Sequence, residues 1–239
     1  RQEQVLDIRS SLWADWAQEF GIKYHMVNVY ESYREAATSQ CKTSPIDYTP
    51  TYKLFLAPFL PQQTFSPWVL FPLLVSAGVI YWDYSQTSKA NIPRSRIFNS
   101  ESNTLYALTY IGMFPLGSAA PEEMFFRGYL QNEFYSLVPS PFFSIPMTTA
   151  LFTLAHDPES RPLAAVGGLV FGTLAHLENS SLSHAIAYHF WVDVLTGIES
   201  YLLFKKAQII SSPVIVKTPI RKPPVSAPRF TLFQFQTGI

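Results

Sequence analysis

The sequence predicts an all-α protein, a polytopic transmembrane helical bundle with an extramembrane N-terminal segment and an extended C-terminal tail. Three observations carry that prediction. Charged residues make up 14% of the chain against 15% aromatic and 48% hydrophobic, whereas a soluble domain carries about 25% charged residues. Apolar stretches of helical length recur from Trp68 to Phe204, with prolines and short polar links between them. Inside this apolar region the run from Pro121 to Gly128 holds three charges, Glu122, Glu123 and Arg127. An ionisable residue at membrane depth costs about 2.5–3.5 kcal/mol on insertion scales, so such a group is a functional candidate by default.

The elements follow in order. From Gln2 to Phe20 the apolar residues Val5, Ile8, Leu12, Trp16 and Phe20 recur at helical steps with charges between them, which reads as an amphipathic helix. It either packs on the rest of the protein or lies in the membrane interface with Trp13 and Trp16 at headgroup depth. Five prolines between Thr43 and Pro67 exclude a long helix there and leave a connecting segment. Trp68 to Trp82 is the first expected span, and Thr104 to Ala120 is a second apolar stretch after a polar linker that carries Lys89, Arg94 and Arg96. Pro121 suits the first residue of a new helix, which puts Glu122 and Glu123 in its first turn. Three more apolar helices are expected over 142–155, 163–177 and 182–204. The resulting organisation is an N-terminal extramembrane or interfacial segment (1–60), a membrane-embedded helical domain (61–208) and a proline-rich basic tail (209–239).

Charge orients this arrangement. After Glu199 the chain has six basic residues and no acid, which places the tail on the cytoplasmic or equivalent side of the membrane. The linker around Lys89–Arg96 shares that side if the Glu122 helix does not fully cross. Basic and acidic residues balance at seventeen each, without a Lys/Arg cluster interleaved with aromatics, so nucleic acid is not an expected partner. The single cysteine, Cys41, excludes an intrachain disulfide and a cysteine-based zinc site.

The residues fit for chemistry are few. Glu123 and Arg127, four apart on one face, are placed to pair, which leaves Glu122, about a hundred degrees round the helix, for proton transfer. Alone, Pro-Glu-Glu is no more than a helix start. His156 closes an apolar run, and His189 with Asp193 projects from one face of the last helix. A His–Asp pair is structural, orients a base, or holds a metal with its second shell. His176, His184 and Trp191 are expected to pack rather than react.

Taken together, Glu-Glu-x-x-x-Arg at 122–127, Phe-x-x-x-His at 152–156 and His-x-x-x-Asp at 189–193 closely resemble the CPBP intramembrane proteases, which include the type II CAAX prenyl endopeptidases and bacteriocin-processing proteins. The similarity includes Phe126-Arg127-Gly128 and Ser181-Leu182 and runs from Pro121 to Asp193. It implies catalytic roles for Glu122, His156, His189 and Asp193, with Glu122 and His156 activating a water and His189 with Asp193 stabilising the oxyanion. It also implies structural support from Glu123 and Arg127. Whether the family works through a divalent metal such as zinc, held by some of Glu122, His156, His189 and Asp193, or through glutamate-activated water alone is left open by the sequence, which lacks His-Glu-x-x-His.

The favoured function is an intramembrane endopeptidase acting on a membrane-tethered or lipidated peptide. Its partners are then membrane lipid and a membrane-associated peptide or protein. The main competitor is a catalytically silent accessory or assembly subunit that docks a protein partner through the N-terminal segment and the aromatic tail. A transporter or proton relay is a third reading, and the small number of convincing spans counts against it.

Overall fold

The computed structural model describes residues 2–39, 46–87, 107–158, 160–178 and 181–208. The linker around Lys89–Arg96, Cys41 and the tail from Ser212 lie outside them, as do the side chains of Trp13 and Trp16, so the expectations placed on those residues have no structural counterpart here. Every regular element among the described residues is helical.

Helix α1 runs over Gln2–Ser39, well past the expected end at Phe20. Among its described side chains, those from 17 to 39, the buried ones are Lys23, Met26, Tyr30, Tyr33 and Ala37. They recur at steps of three and four, so they form one stripe on one face. The proline-rich connection then folds as short turns: α2 (Thr51–Leu56), a 3-10 turn (Ala57–Phe59) and α3 (Pro61–Thr64). Trp191 ties these turns to the last helix, its indole N–H donating to the Pro58 carbonyl at 3.2 Å.

Helix α4 (Pro67–Gln86) opens on Ser66, whose hydroxyl accepts from the Trp68 amide, with Pro67 in the first turn where its missing N–H costs nothing. At its other end Lys206 donates to the carbonyls of Tyr84 and Thr87, at 3.3 and 2.7 Å, so that an ammonium caps the negative end of the helix dipole. With 20 residues, α4 is, among the described residues, the one helix long and apolar enough to cross a membrane.

The next helical run changes register three times. A π-helical segment π1 (Ala107–Met113) leads into α5 (Phe114–Glu123), a second π-helical segment π2 (Met124–Leu130) follows, and α6 (Gln131–Leu137) ends the run. Pro121 is therefore buried inside a helix and does not start one. The first-turn position expected for Glu122 and Glu123 is overturned, and no helix-terminus dipole favours their charge. A proline in a helix interior withholds the N–H that the carbonyl four residues back would accept. Here the chain leaves the α register three residues after Pro121, and π segments of this kind recur at functional sites.

Helices α7 (Pro141–Leu154), α8 (Arg161–Leu177) and α9 (Ser183–Gln208) complete the bundle. With 14 and 17 residues, α7 and α8 fall short of the roughly 20 a perpendicular span needs. Helix length therefore supports one candidate span, α4, among the described residues. Helix α9 lies at the centre, packed on α4, α5, α8 and π1.

Beside an apolar core, part of the burial in this bundle is inverted. Glu122, Glu123, Arg127, Gln131, Asn132, Thr148 and His189 are buried, while Trp68, Phe71, Leu74 and Trp82 of α4, Phe142 and Leu154 of α7, and Val166 and Leu177 of α8 are exposed. Water penalises both halves of that distribution, whereas a lipid surround favours both.

Candidate active site

Six helical segments bring the candidate residues together: α1, α5, π2, α7, α8 and α9. Glu123, at the end of α5, is fully buried, and its Oε1 accepts from Arg127 Nη1 at 3.0 Å. The Arg127 guanidinium, 1% exposed, also donates from Nη2 to the Gly168 carbonyl on α8 at 3.2 Å. Its carbon lies 4.3 Å from the Phe152 ring centroid and 5.0 Å from that of Phe171. A cation with a carboxylate, a carbonyl and two aromatic faces keeps most of what it loses in leaving water. Gly168 is what allows that approach: a Cβ there would come within 2.9 Å of Thr149 Cγ2 and 3.4 Å of Arg127 Nη2.

The same Glu123 oxygen sits 2.7 Å from His189 Nδ1. A carboxylate only accepts, so this contact puts a proton on Nδ1 and turns Nε2 toward the rest of the site. His189 is held flat against Phe171, the rings 4.4 Å apart and 16° from parallel. Its Nε2 lies 3.8 Å from Glu122 Oε2 and 3.6 Å from Asp193 Oδ2, close enough for charge to be felt and too far for a hydrogen bond to either. The partner that orients His189 is thus Glu123, a role the sequence offered to Asp193.

Asp193 is itself fixed by Ser118 on α5, whose hydroxyl donates to Oδ2 at 3.0 Å. His156 stands just beyond the end of α7, with Nδ1 2.7 Å from the Phe152 carbonyl. That carbonyl accepts, so Nδ1 carries the proton and Nε2 is the basic nitrogen. His156 lies within electrostatic reach of Glu122 and Asp193, though no hydrogen bond joins it to either. His184 pairs with Glu178 and His176 lies tilted against Tyr135, both away from this cluster.

Glu122 has a partner that sequence reasoning missed. Its Oε1 is hydrogen-bonded and ion-paired with Lys23 Nζ of α1, and both side chains are more than 90% buried. Between α1 and α5 a cavity of about 30 Å³ is lined by Glu19, Phe20, Lys23, Met113, Phe114, Gly117 and Ser118. That exceeds the roughly 10–15 Å³ a water needs.

The metal expectation fares less well. Among the described residues no group of three or more His, Cys, Asp or Glu side chains is arranged to hold an ion. The two central carboxylates already face cations, Lys23 at Glu122 and Arg127 at Glu123. A divalent ion at the same oxygens would meet that positive charge at close range, so the donor set does not fit zinc held by Glu122, His156, His189 and Asp193.

Comparison with known proteins agrees with the geometry in one respect. No curated protein and no solved structure matches the chain. The family model "Type II CAAX prenyl endopeptidase Rce1-like" matches residues 104–195, a stretch that holds Ser118, Glu122, Glu123, Arg127, His156, His189 and Asp193 and leaves out α1 with Lys23. Residues 104–195 are thus similar to a type II CAAX prenyl endopeptidase Rce1-like domain, which supports a CPBP-family protease.

Proposed function

We propose that this protein is an intramembrane endopeptidase that hydrolyses a membrane-tethered or lipidated peptide with a glutamate-activated water. The observation that carries the reading is the buried array of Glu122, Glu123, Arg127 and His189 within an Rce1-like domain, since CPBP members are glutamate-dependent proteases. An integral membrane setting is supported by the family, by the candidate span α4 and by the inverted burial. The shorter helices α7 and α8 then enter the bilayer as part of the bundle without crossing it alone, with their polar atoms turned inward.

Each residue has a chemical task in this reading. Glu122 takes a proton from water through Oε2, which accepts no hydrogen bond from a described residue. His156, with its basic Nε2, helps receive that proton, and the pair returns it to the leaving amine. His189 and Asp193 face the oxyanion from the other side. Ser118 donates to Oδ2 of Asp193, which leaves Oδ1 as the oxygen able to carry a proton. Glu123 and Arg127 do no chemistry but hold His189 in place, since a misplacement of about 1 Å costs on the order of a hundredfold in rate. The accessory-subunit reading is not preferred, because a silent subunit has no need of this complete set of charges in its core.

The test is a proteomic comparison of membranes containing the wild-type protein with membranes containing Glu122→Gln. The amide is nearly isosteric but accepts no proton. Peptides should accumulate uncut in the variant, and equal peptide profiles would remove Glu122 from catalysis.

A further inference from the structure

We propose that α1 is a latch on the site, in which Lys23 holds Glu122 in a resting ion pair and passes to Glu19 on its own helix when the site works. This deepens the function proposed above and rests on Glu122 being its general base.

Four of the five buried positions on the α1 stripe are apolar or aromatic: Met26, Tyr30, Tyr33 and Ala37. They suffice to dock the helix, with Tyr30 against Gly128 of π2 and Tyr33 edge-on to Tyr129, the ring centroids 5.2 Å apart. The fifth position, whose register falls on Glu122, is lysine. For docking alone an apolar residue would serve without desolvating an ammonium. The lysine therefore acts on the carboxylate it meets. With Lys23 on Oε1, Glu122 is a poor base, because the ammonium takes one of its oxygens and opposes neutralisation of the other.

A second acceptor lies within reach. Glu19 Oε2 is 4.0 Å from Lys23 Nζ, one turn back on α1. The cavity lined by Glu19, Phe20, Lys23, Gly117 and Ser118 gives the ammonium room to move between the two carboxylates. Lysine has the flexible stem that such a move needs. Because Lys23 keeps an acidic partner in both positions, release of Glu122 leaves no buried charge unpaired. The latch lies outside the stretch 104–195, so it is an addition to the domain.

The experiment uses the full chain in its own membranes, with the peptides that accumulate in Glu122→Gln membranes as reporters. Lys23→Met should raise their initial cleavage rate by about tenfold or more, as expected when the competent state is populated at roughly 10% or less. Glu19→Gln, which removes the negative charge of the second acceptor, should lower the rate, and the double variant should behave as Lys23→Met alone. Cysteines at Phe20 and Gly117, in a Cys41→Ser background, should cross-link on oxidation across the cavity the ammonium moves through, blocking its passage to Glu19 and halting cleavage until reduced. A slower Lys23→Met that still melts as the wild type does would overturn the latch and make Lys23 a helper in the chemistry. If Lys23→Met does not fold, Glu19→Gln at the wild-type rate together with a cross-link that leaves cleavage unchanged overturns it instead. Failure of the underlying reading is distinguishable, because no peptide would then accumulate in Glu122→Gln while the cross-link still formed.

Discussion

Asp193 is the residue at which two mechanisms part. If it donates to the oxyanion, an amide supplies the same donor without needing a proton, and its oxygen still accepts from Ser118. Asp193→Asn should then keep or raise activity and flatten the alkaline limb of the pH–rate profile. If the negative charge is needed, activity should fall by about 10–100-fold. A fall of that size, measured on the accumulating peptides, would exclude the donor role. The motif residues were legible at this scale because each sits at a fixed spacing on one helix: Glu123 with Arg127, and His189 with Asp193. Ser118 and Lys23 were not. Ser118 reads as one more small residue in an apolar run, and Lys23 acts on a residue 99 positions away, which local spacing does not reveal.

Among the elements, the apolar helices lie within a few residues of their expected places, because Ser66-Pro67, Pro141 and Pro162 mark helix starts in the way a first-turn proline does. Pro121 follows the same local pattern and is buried mid-helix. The difference is tertiary: π1 and α5 already carry the backbone through Pro121, and the register change in π2 sets Arg127 and Gly128 on different neighbours. Gly128 is where α1 meets π2. A Cβ there would lie 2.4 and 2.7 Å from two ring atoms of Tyr30 and 3.0 Å from Leu182 Cδ1. The Tyr30 ring is fully buried and its hydroxyl donates to the Asp47 carbonyl at 2.8 Å, so it has little freedom to retreat. Gly128→Ala should therefore lower stability by about 1–3 kcal/mol, the usual cost of overpacking, read as a drop in Tm of the purified protein. An unchanged Tm would mean that α1 does not seat on π2 as described. With the latch in place, the same variant should also loosen Lys23 from Glu122 and speed cleavage in the fraction that folds.

For the whole molecule, low charge content, recurring apolar stretches and the charged run from Pro121 to Gly128 together foretold a helical protein with charges inside, and the burial seen in α4, α7, α8 and the site is the form that takes. The number of crossings was less legible, since hydropathy marks apolar stretches without saying how deeply a 14-residue helix enters the bilayer. Orientation rests on loop charge, and it is testable without knowing the substrate. Six basic residues after Glu199 face no acid, and Lys89, Arg94 and Arg96 crowd the linker after α4. The positive-inside tendency predicts both segments on the cytoplasmic or equivalent side, with an even number of crossings between them. Single cysteines introduced beside Lys89 and beyond Lys217, in a Cys41→Ser background, should react with a membrane-impermeant thiol reagent from the same face of sealed vesicles. Labelling from opposite faces would require an odd number of crossings between the two labels. Either the run from π1 to α6 then passes fully through the bilayer with Glu122 and Glu123 inside it, or one of the other apolar helices does not cross, and the parity of the labels excludes the arrangement in which the Glu122 run alone stays short of crossing.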